Sequence, residues 1–321
     1  MFILLALFLF NGVFYHLPKN YSSLIVYVVD FDGQVAPYQG GTPLVGPAVV
    51  QATERIAKSD APHLGYITKL PSDFNNDPIA VRQAIYDFKA HAAIIINANA
   101  TTLLQQAVDQ GNATYDPNGA AQVIYVSARD QNTIPAYEVP QLTALERNVI
   151  SQFGAQWAQT VMQNSTIARD NLSKSPQAVS PAIGFTTFDL RPFGPANVTP
   201  AVSISLIYLI IIAFFSFTFF LPIHLKYLLP RGHPPLHFHQ LIIWRWFATT
   251  GAYFFLSLSY SLVALTFQVP FSNGSVSPTE PAVNPSAYGS GTFVVYWMVN
   301  FLGMCALGLS CENVAMAVGQ P

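Results

Sequence analysis

The stretch RGHPPLHFHQ places His233, His237 and His239 close together, and imidazole is a good ligand for zinc or copper. The spacing matches no dedicated metal site, no cysteine or carboxylate adjoins it, and Pro234 and Pro235 mark a loop. We read it as a weakly basic loop beside a membrane and assign no metal. Asp30 and Asp32 in VDFDG could act as paired carboxylates in acid–base work. A strand running into a turn uses Asp and Gly for local reasons, however, and no nucleophile or histidine motif accompanies the pair. LPSDFNND holds further acids without the spacing of a calcium loop. Phosphate-loop, G-x-S-x-G and H-E-x-x-H patterns are absent from the sequence. The expectation is a protein that is not an enzyme, has no cofactor and does not itself hydrolyse nucleotide.

The remaining polar groups of interest sit in apolar runs. Arg245 lies between Trp244 and Trp246, a few residues inside one such run. There an arginine can reach back to the interface while the tryptophans form a belt. Glu312 lies near the end of another run, and Asn300 lies inside it. An ionisable residue in or near a bilayer is a functional candidate by default. Glu312 could equally be the interfacial end of a span. Asn300 and Glu312 are the candidate intramembrane functional residues.

The elements that position these groups follow from composition. The 321 residues are 51% hydrophobic and only 9% charged, with a mean hydropathy of +0.35. Soluble domains carry about 25% charged residues. This is therefore a membrane protein. A net charge of -2 excludes the clustered basic face that nucleic acid requires. The two cysteines, Cys305 and Cys311, lie in or beside an apolar run, so whatever lies outside the membrane is not held by disulfides.

A membrane helix needs about 20 largely apolar residues. The sequence predicts helices at 201–222, 241–267 and 292–311. Residues 1–17 lack the basic start and cleavage site of a signal peptide and are read as an uncleaved first helix, with a signal peptide as the alternative. Orientation rests on two signals. Outside 18–200 the only Lys and Arg residues are Lys226, Arg231 and Arg245, all in or beside the loop at 223–240. Short basic loops stay cytosolic. The N-x-S/T acceptors Asn20, Asn99, Asn112, Asn164, Asn171, Asn197 and Asn273 all avoid that loop. Segments 18–200 and 268–291 are therefore expected on the exoplasmic side, with those asparagines as glycosylation candidates.

Residues 18–163 read as an exoplasmic α/β domain. LIVYVVDFDG, LGYITKL, HAAIIINA and AQVIYVSA have the pattern of short or buried strands. They alternate with helical stretches, one capped by Asp77 ahead of Pro78 and one closed by Gly111. Such alternation predicts a sheet with helices packed on it. Residues 164–200, rich in Pro, Asn and Ser, are read as a linker back to the membrane. The alternative is a further strand in AIGFTTFDLRPF.

VYVVDFDG, the stretch HAAIIINANATTLLQQAVDQG with its continuation to SARDQNTI, and CENVAMAVGQP together resemble the fungal nitrosoguanidine-resistance membrane proteins, a family described by a domain of unknown function. The layout is also similar to phage-infection-type proteins and type-2 ABC permeases. The resemblance covers nearly the whole chain, and Glu312 to Met316 is its most distinctive piece. It implies membrane residence, resistance to toxic chemicals and links to membrane lipid behaviour. It implies no catalytic residue. Members carry a segment before the first helix and further helices beyond the last stretch, so the chain, with 312–321 as its tail, is expected to be a fragment.

The expectation is thus a multi-pass membrane protein with one N-terminal helix, an α/β exoplasmic domain and at least three further helices. Its function is read as permease-like, contributing to chemical resistance or to movement of lipids or compounds. The alternative is a non-transporting, anchored domain that binds a ligand or partner. The partners implied are the lipid bilayer, a small-molecule or lipid substrate and a second copy of the chain. The expected location is the plasma membrane, with endomembranes as the alternative.

Overall fold

The computed structural model describes residues 7–9, 11–12, 15, 17–164, 167–194, 196–226, 237–271 and 288–318. The expected first helix, 1–17, lies largely outside them. The chain divides into two compact units, one holding the described residues up to Phe193 and one those from Gly194 onward.

The first unit is built on a five-stranded sheet. Its strands are β1 (Ile25–Asp30), β2 (Gly65–Lys69), β3 (Ala92–Ile96), β4 (Ala121–Tyr125) and β5 (Phe185–Asp189), in the order β2-β1-β3-β4-β5. Strand β3 is wholly buried, as its run Ala-Ala-Ile-Ile-Ile requires, because an unbroken apolar run must be covered on both faces. Side chains of a strand alternate between faces. Val28, Ile94, Ile96 and Val123 accordingly join one core, with α1 (Val45–Ala57), α3 (Ala100–Gln110) and α4 (Val139–Gln163). Val29, Ala93, Ile95 and Ile124 join a second core, with α2 (Pro78–Tyr86). Helices therefore cover both faces.

Local signals fix the helix ends. The Asp77 carboxylate accepts the N–H of Ile79 at 2.8 Å, ahead of Pro78. Gly111 closes α3 at a φ of 66°, in the left-handed region that glycine enters without steric penalty. Strand β4 runs antiparallel to β3, whereas the pairs β1–β2, β1–β3 and β4–β5 are parallel. The stretch between Gly111 and Ala120 carries the chain back to the end from which β3 left. There Asn97 donates its N–H to the Ala120 carbonyl at 3.0 Å and its side-chain amide to the Gly119 carbonyl at 2.8 Å.

Residues 164–200 are not an extended linker. They contain α5 (Arg169–Lys174) and β5, and they bury Ala178, Ala182, Ile183 and Leu190. Trp157 of α4 donates to the Ala178 carbonyl at 2.8 Å, tying this segment to the core. A run short in strong apolar residues still folds in because an edge strand needs only partial cover, and β5 is half-buried at every position but the exposed Thr187.

Asp30 and Asp32 sit where β1 ends. The Asp32 carboxylate accepts the N–H of Thr101 at 2.9 Å, the N–H of Gly46 at 3.0 Å and the Thr101 hydroxyl at 2.5 Å. The Thr101 oxygen in turn accepts the N–H groups of Leu44 and Val45 at 2.8 and 3.1 Å. Asp32 thus satisfies donors at the starts of α1 and α3, where the helix dipole favours negative charge. Asp30 accepts the N–H of Asp32 at 2.9 Å and packs so closely on Gly46 that a Cβ there would collide with its carboxylate. The pair has a tying role, which is the local reading of VDFDG.

Burial, with a smaller push from Asp32, raises the Asp30 pKa from 3.8 to about 6. A raised carboxyl pKa means that the folded state holds the proton more tightly than the unfolded state. Its contribution is complete below about pH 3.8 and is lost as pH rises through about 6. Asp30→Asn, which keeps the hydrogen bond and cannot ionise, is expected to gain on the native chain between pH 4 and pH 7. Unfolding curves at the two pH values check this, and parallel behaviour of both proteins would contradict it.

Candidate functional site: a polar seam in the helical unit

The second unit consists of α6 (Val198–Val202), α7 (Ile204–Lys226), α8 (Phe238–Thr266) and α9 (Thr292–Val318). Among the described residues three stretches, Val198–Ser216, His239–Thr266 and Gly289–Val314, are long and apolar enough to cross a membrane. Large apolar side chains point outward, among them Ile207, Phe214, Ile243, Phe247, Phe255 and Leu302. In water this would be unstable, whereas in lipid it removes any need to bury them.

One set of polar residues faces inward, on a regular spacing. Along α8 they are Arg245, Thr249, Tyr253, Ser257 and Ser261, four residues apart, so they share one face of the helix. Thr249, Tyr253, Ser257 and Ser261 are buried. Along α9 the facing column is Asn300, Met304, Gly308 and Glu312, again four apart. The helices run antiparallel, so the columns meet in reverse order. Arg245 donates from Nη2 to Glu312 Oε1 at one end. Asn300 donates from Nδ2 to Ser261 Oγ at 3.1 Å towards the other. Between them Trp297 donates to Ser257 Oγ at 3.2 Å, and the Tyr253 and Ser216 hydroxyls share a hydrogen bond of 2.5 Å. Gly308 lies against the Tyr253 ring, and a Cβ there would collide with it. The small residue lets the tyrosine reach across to Ser216 of α7.

The ion pair corrects the reading of Arg245. Instead of reaching back alone to the interface, it is paired with Glu312, and both side chains are largely buried, at 14% and 12% exposure. Either charge alone would be costly in or beside lipid, and the pair satisfies both. Of the candidates from the sequence, Asn300 and Glu312 thus lie on one seam. Serines and threonines within apolar spans carried no signal singly; their four-residue period was the signal.

A cavity of about 360 Å³ opens beyond the Ser261–Asn300 end, lined by Pro200, Ala201, Tyr260, Ala264, Phe267 and Tyr296 among others. Asn300 does not line it. The Tyr260 hydroxyl donates to the Ala201 carbonyl at 3.1 Å. The Tyr296 hydroxyl oxygen is buried and lies beside the Tyr260 hydroxyl.

His237 and His239 stack with their rings 5.7 Å apart, and His233 lies outside the described residues. Among the described residues no group of three or more His, Cys, Asp or Glu side chains is placed to hold a metal. Of the candidate acceptor asparagines, Asn20, Asn112 and Asn164 are exposed, and Asn99 is half-buried. Asn171 donates its side-chain amide to the Asp109 carbonyl at 2.5 Å, and Asn197 donates its own to the Phe267 carbonyl at 2.8 Å. Asn273 lies outside the described residues.

A family model described as a protein of unknown function, DUF3533, matches residues 1–321. The chain belongs to that family. This DUF3533 chain is 24% identical over 331 residues to an uncharacterized endoplasmic reticulum membrane protein of Saccharomyces cerevisiae, with 97% of the chain and 59% of the relative covered. It thus spans about 59% of the length of this curated relative. No solved structure matches it. Family, relative and apolar helices together make it a membrane protein.

Removing one member of a largely buried ion pair leaves the other charge uncompensated, at about 3–5 kcal/mol. Glu312→Ala is therefore expected to destabilise the helical unit by about that much. Arg245→Met combined with Glu312→Met should recover most of the loss. Unfolding in detergent micelles measures both, and a silent Glu312→Ala would contradict the pairing.

Proposed function

We propose a permease-like role for this chain, whose helical unit takes up a lipid or an amphiphilic compound. Such a role would account for chemical resistance or for movement of lipids or compounds. The observation that carries the reading is the cavity walled by Ala201, Ala264 and Phe267, with the phenols of Tyr260 and Tyr296 set into it. Ligand sites are mostly apolar with few polar groups, and cavities of about 300–1,000 Å³ are typical. An apolar body would fill the space, and the Tyr260 and Tyr296 hydroxyls would meet a polar group.

The basic residues Lys226, Arg231 and Arg245 favour a cytosolic side at the α7–α8 connection. The cavity, at the opposite end of α8, would then open towards the exoplasmic side. On that orientation the α/β unit is exoplasmic. The yeast relative favours the endoplasmic reticulum as the location, with the plasma membrane as the alternative. A non-transporting, anchored binding protein is the second reading. It is favoured by the seam, whose hydrogen bonds join helix to helix.

Two experiments test this reading. Ala264→Trp, which fills the cavity, is expected to abolish any change in uptake of a fluorescent phosphatidylcholine that the native chain produces in cells, at unchanged expression. Unaltered uptake would favour the anchored binding protein. Glycosidase digestion with mass mapping is expected to find glycans at Asn20, Asn112 or Asn164 and none at Asn171 or Asn197. Unmodified acceptors throughout would count against the exoplasmic orientation.

A further inference from the structure

The two ends of the α/β sheet differ in chemistry. One end carries Asp30 and Asp32. At the other, the register aligns Val26, Ala92, Tyr125 and Asp189 across β1, β3, β4 and β5. There the chain both enters β1 and leaves β5. Just past β4 and β5 stand Arg129 and Arg191, and just past α2 stands Phe88, 43% exposed. The Arg191 guanidinium carbon lies 3.6 Å from the Tyr86 ring centre and 5.2 Å from that of Phe88. The Arg129 guanidinium lies 5.4 Å from the same Phe88 ring. Two cations thus share one protruding aromatic ring.

Neither arginine is neutralised by a carboxylate. Among the described residues no ion pair involves Arg129 or Arg191. The nearby acids are engaged elsewhere. Asp189 accepts from the Ser127 N–H at 3.0 Å, from the Ser127 hydroxyl and from the backbone N–H of Arg191. Asp130 accepts the N–H groups of Asn132 and Thr133. Asp87 is bonded to Gln83, and the buried Glu138 to His91. Arg129 uses one Nη to donate to the Ala90 carbonyl at 2.7 Å. The buried Arg191 Nε makes no hydrogen bond among the described residues.

A guanidinium stacked on an aromatic ring keeps its in-plane donors free, and its fork matches phosphate oxygens. Exposed aromatics beside arginines have the composition of a membrane interface. Tyr21, on the approach to β1, and Tyr137 add a second ring pair at this end, 5.7 Å apart. Downstream, the first stretch able to cross a membrane begins at Val198, shortly after Arg191. We propose that Arg129 and Arg191, flanking Phe88, bind the phosphate of a phospholipid headgroup at a membrane surface.

The test uses the full chain in detergent, titrated with dioctanoyl phosphatidate and, separately, with inorganic phosphate. Phosphatidate is expected to bind saturably, and Arg129→Gln with Arg191→Gln to weaken it at least tenfold. Inorganic phosphate should bind far more weakly, because it offers nothing to Phe88. Arg191→Lys keeps the charge but loses the fork and is expected to weaken binding severalfold, which serves if the double variant fails to fold. Unchanged affinity in the Gln or Lys variants would overturn the proposal. Equal affinity for inorganic phosphate would also overturn it, showing an anion site with no lipid character.

Discussion

A polar group inside a lipid-facing helix has no water to turn to, and this constraint organises the helical unit. A buried donor or acceptor on an inner face gains most by meeting a partner on a neighbouring helix. The pairs Arg245–Glu312, Tyr253–Ser216, Trp297–Ser257 and Asn300–Ser261 do so. Because the partners recur every four residues on α8 and α9, they set the register of these helices as well as their contact. Apolar packing alone would specify register poorly, since the outer faces of the three long helices are mostly apolar and lipid cannot tell one apolar side chain from another. Gly308 belongs to the same constraint, because the tyrosine could not cross to α7 over a larger residue.

The α/β unit solves a different problem with the same currency of hydrogen bonds. Its cores come from alternation along β1, β3 and β4, and the starts of α1 and α3 are held by one acid, Asp32, directly and through Thr101. The Asp30–Asp32 end is saturated with internal bonds. The opposite end leaves two guanidinium groups beside aromatic rings, with no acidic partner among the described residues. This asymmetry separates the end that holds the fold from the end that offers free donors.

Much of this was legible in the sequence. The apolar run of β3, the cap at Asp77 and the stop at Gly111 are local signals, and local signals survive in a single sequence. Strand β5 was harder, because an edge strand with Thr186 and Thr187 at its centre carries little apolar weight. The antiparallel β4 depends on where a loop returns the chain, which no periodicity encodes. Arg245 and Glu312 were each conspicuous, yet their pairing was not, since it depends on two antiparallel helices presenting opposite charges at the same end. The serines of the seam were the least visible, being ordinary residues in apolar spans until their common spacing is set against the facing helix.

The most direct test of the seam is its register. Ser261→Cys with Asn300→Cys, in a chain whose Cys305 and Cys311 are replaced by serine and which carries a protease site in 272–287, can be oxidised in native membranes and then cleaved. The account predicts that the two fragments stay joined until a reductant is added. It also predicts that moving one cysteine to the lipid-facing Leu302 abolishes the link. Fragments that separate from the Ser261–Asn300 pair, or a link formed equally well at Leu302, would contradict a seam that fixes how α8 and α9 meet.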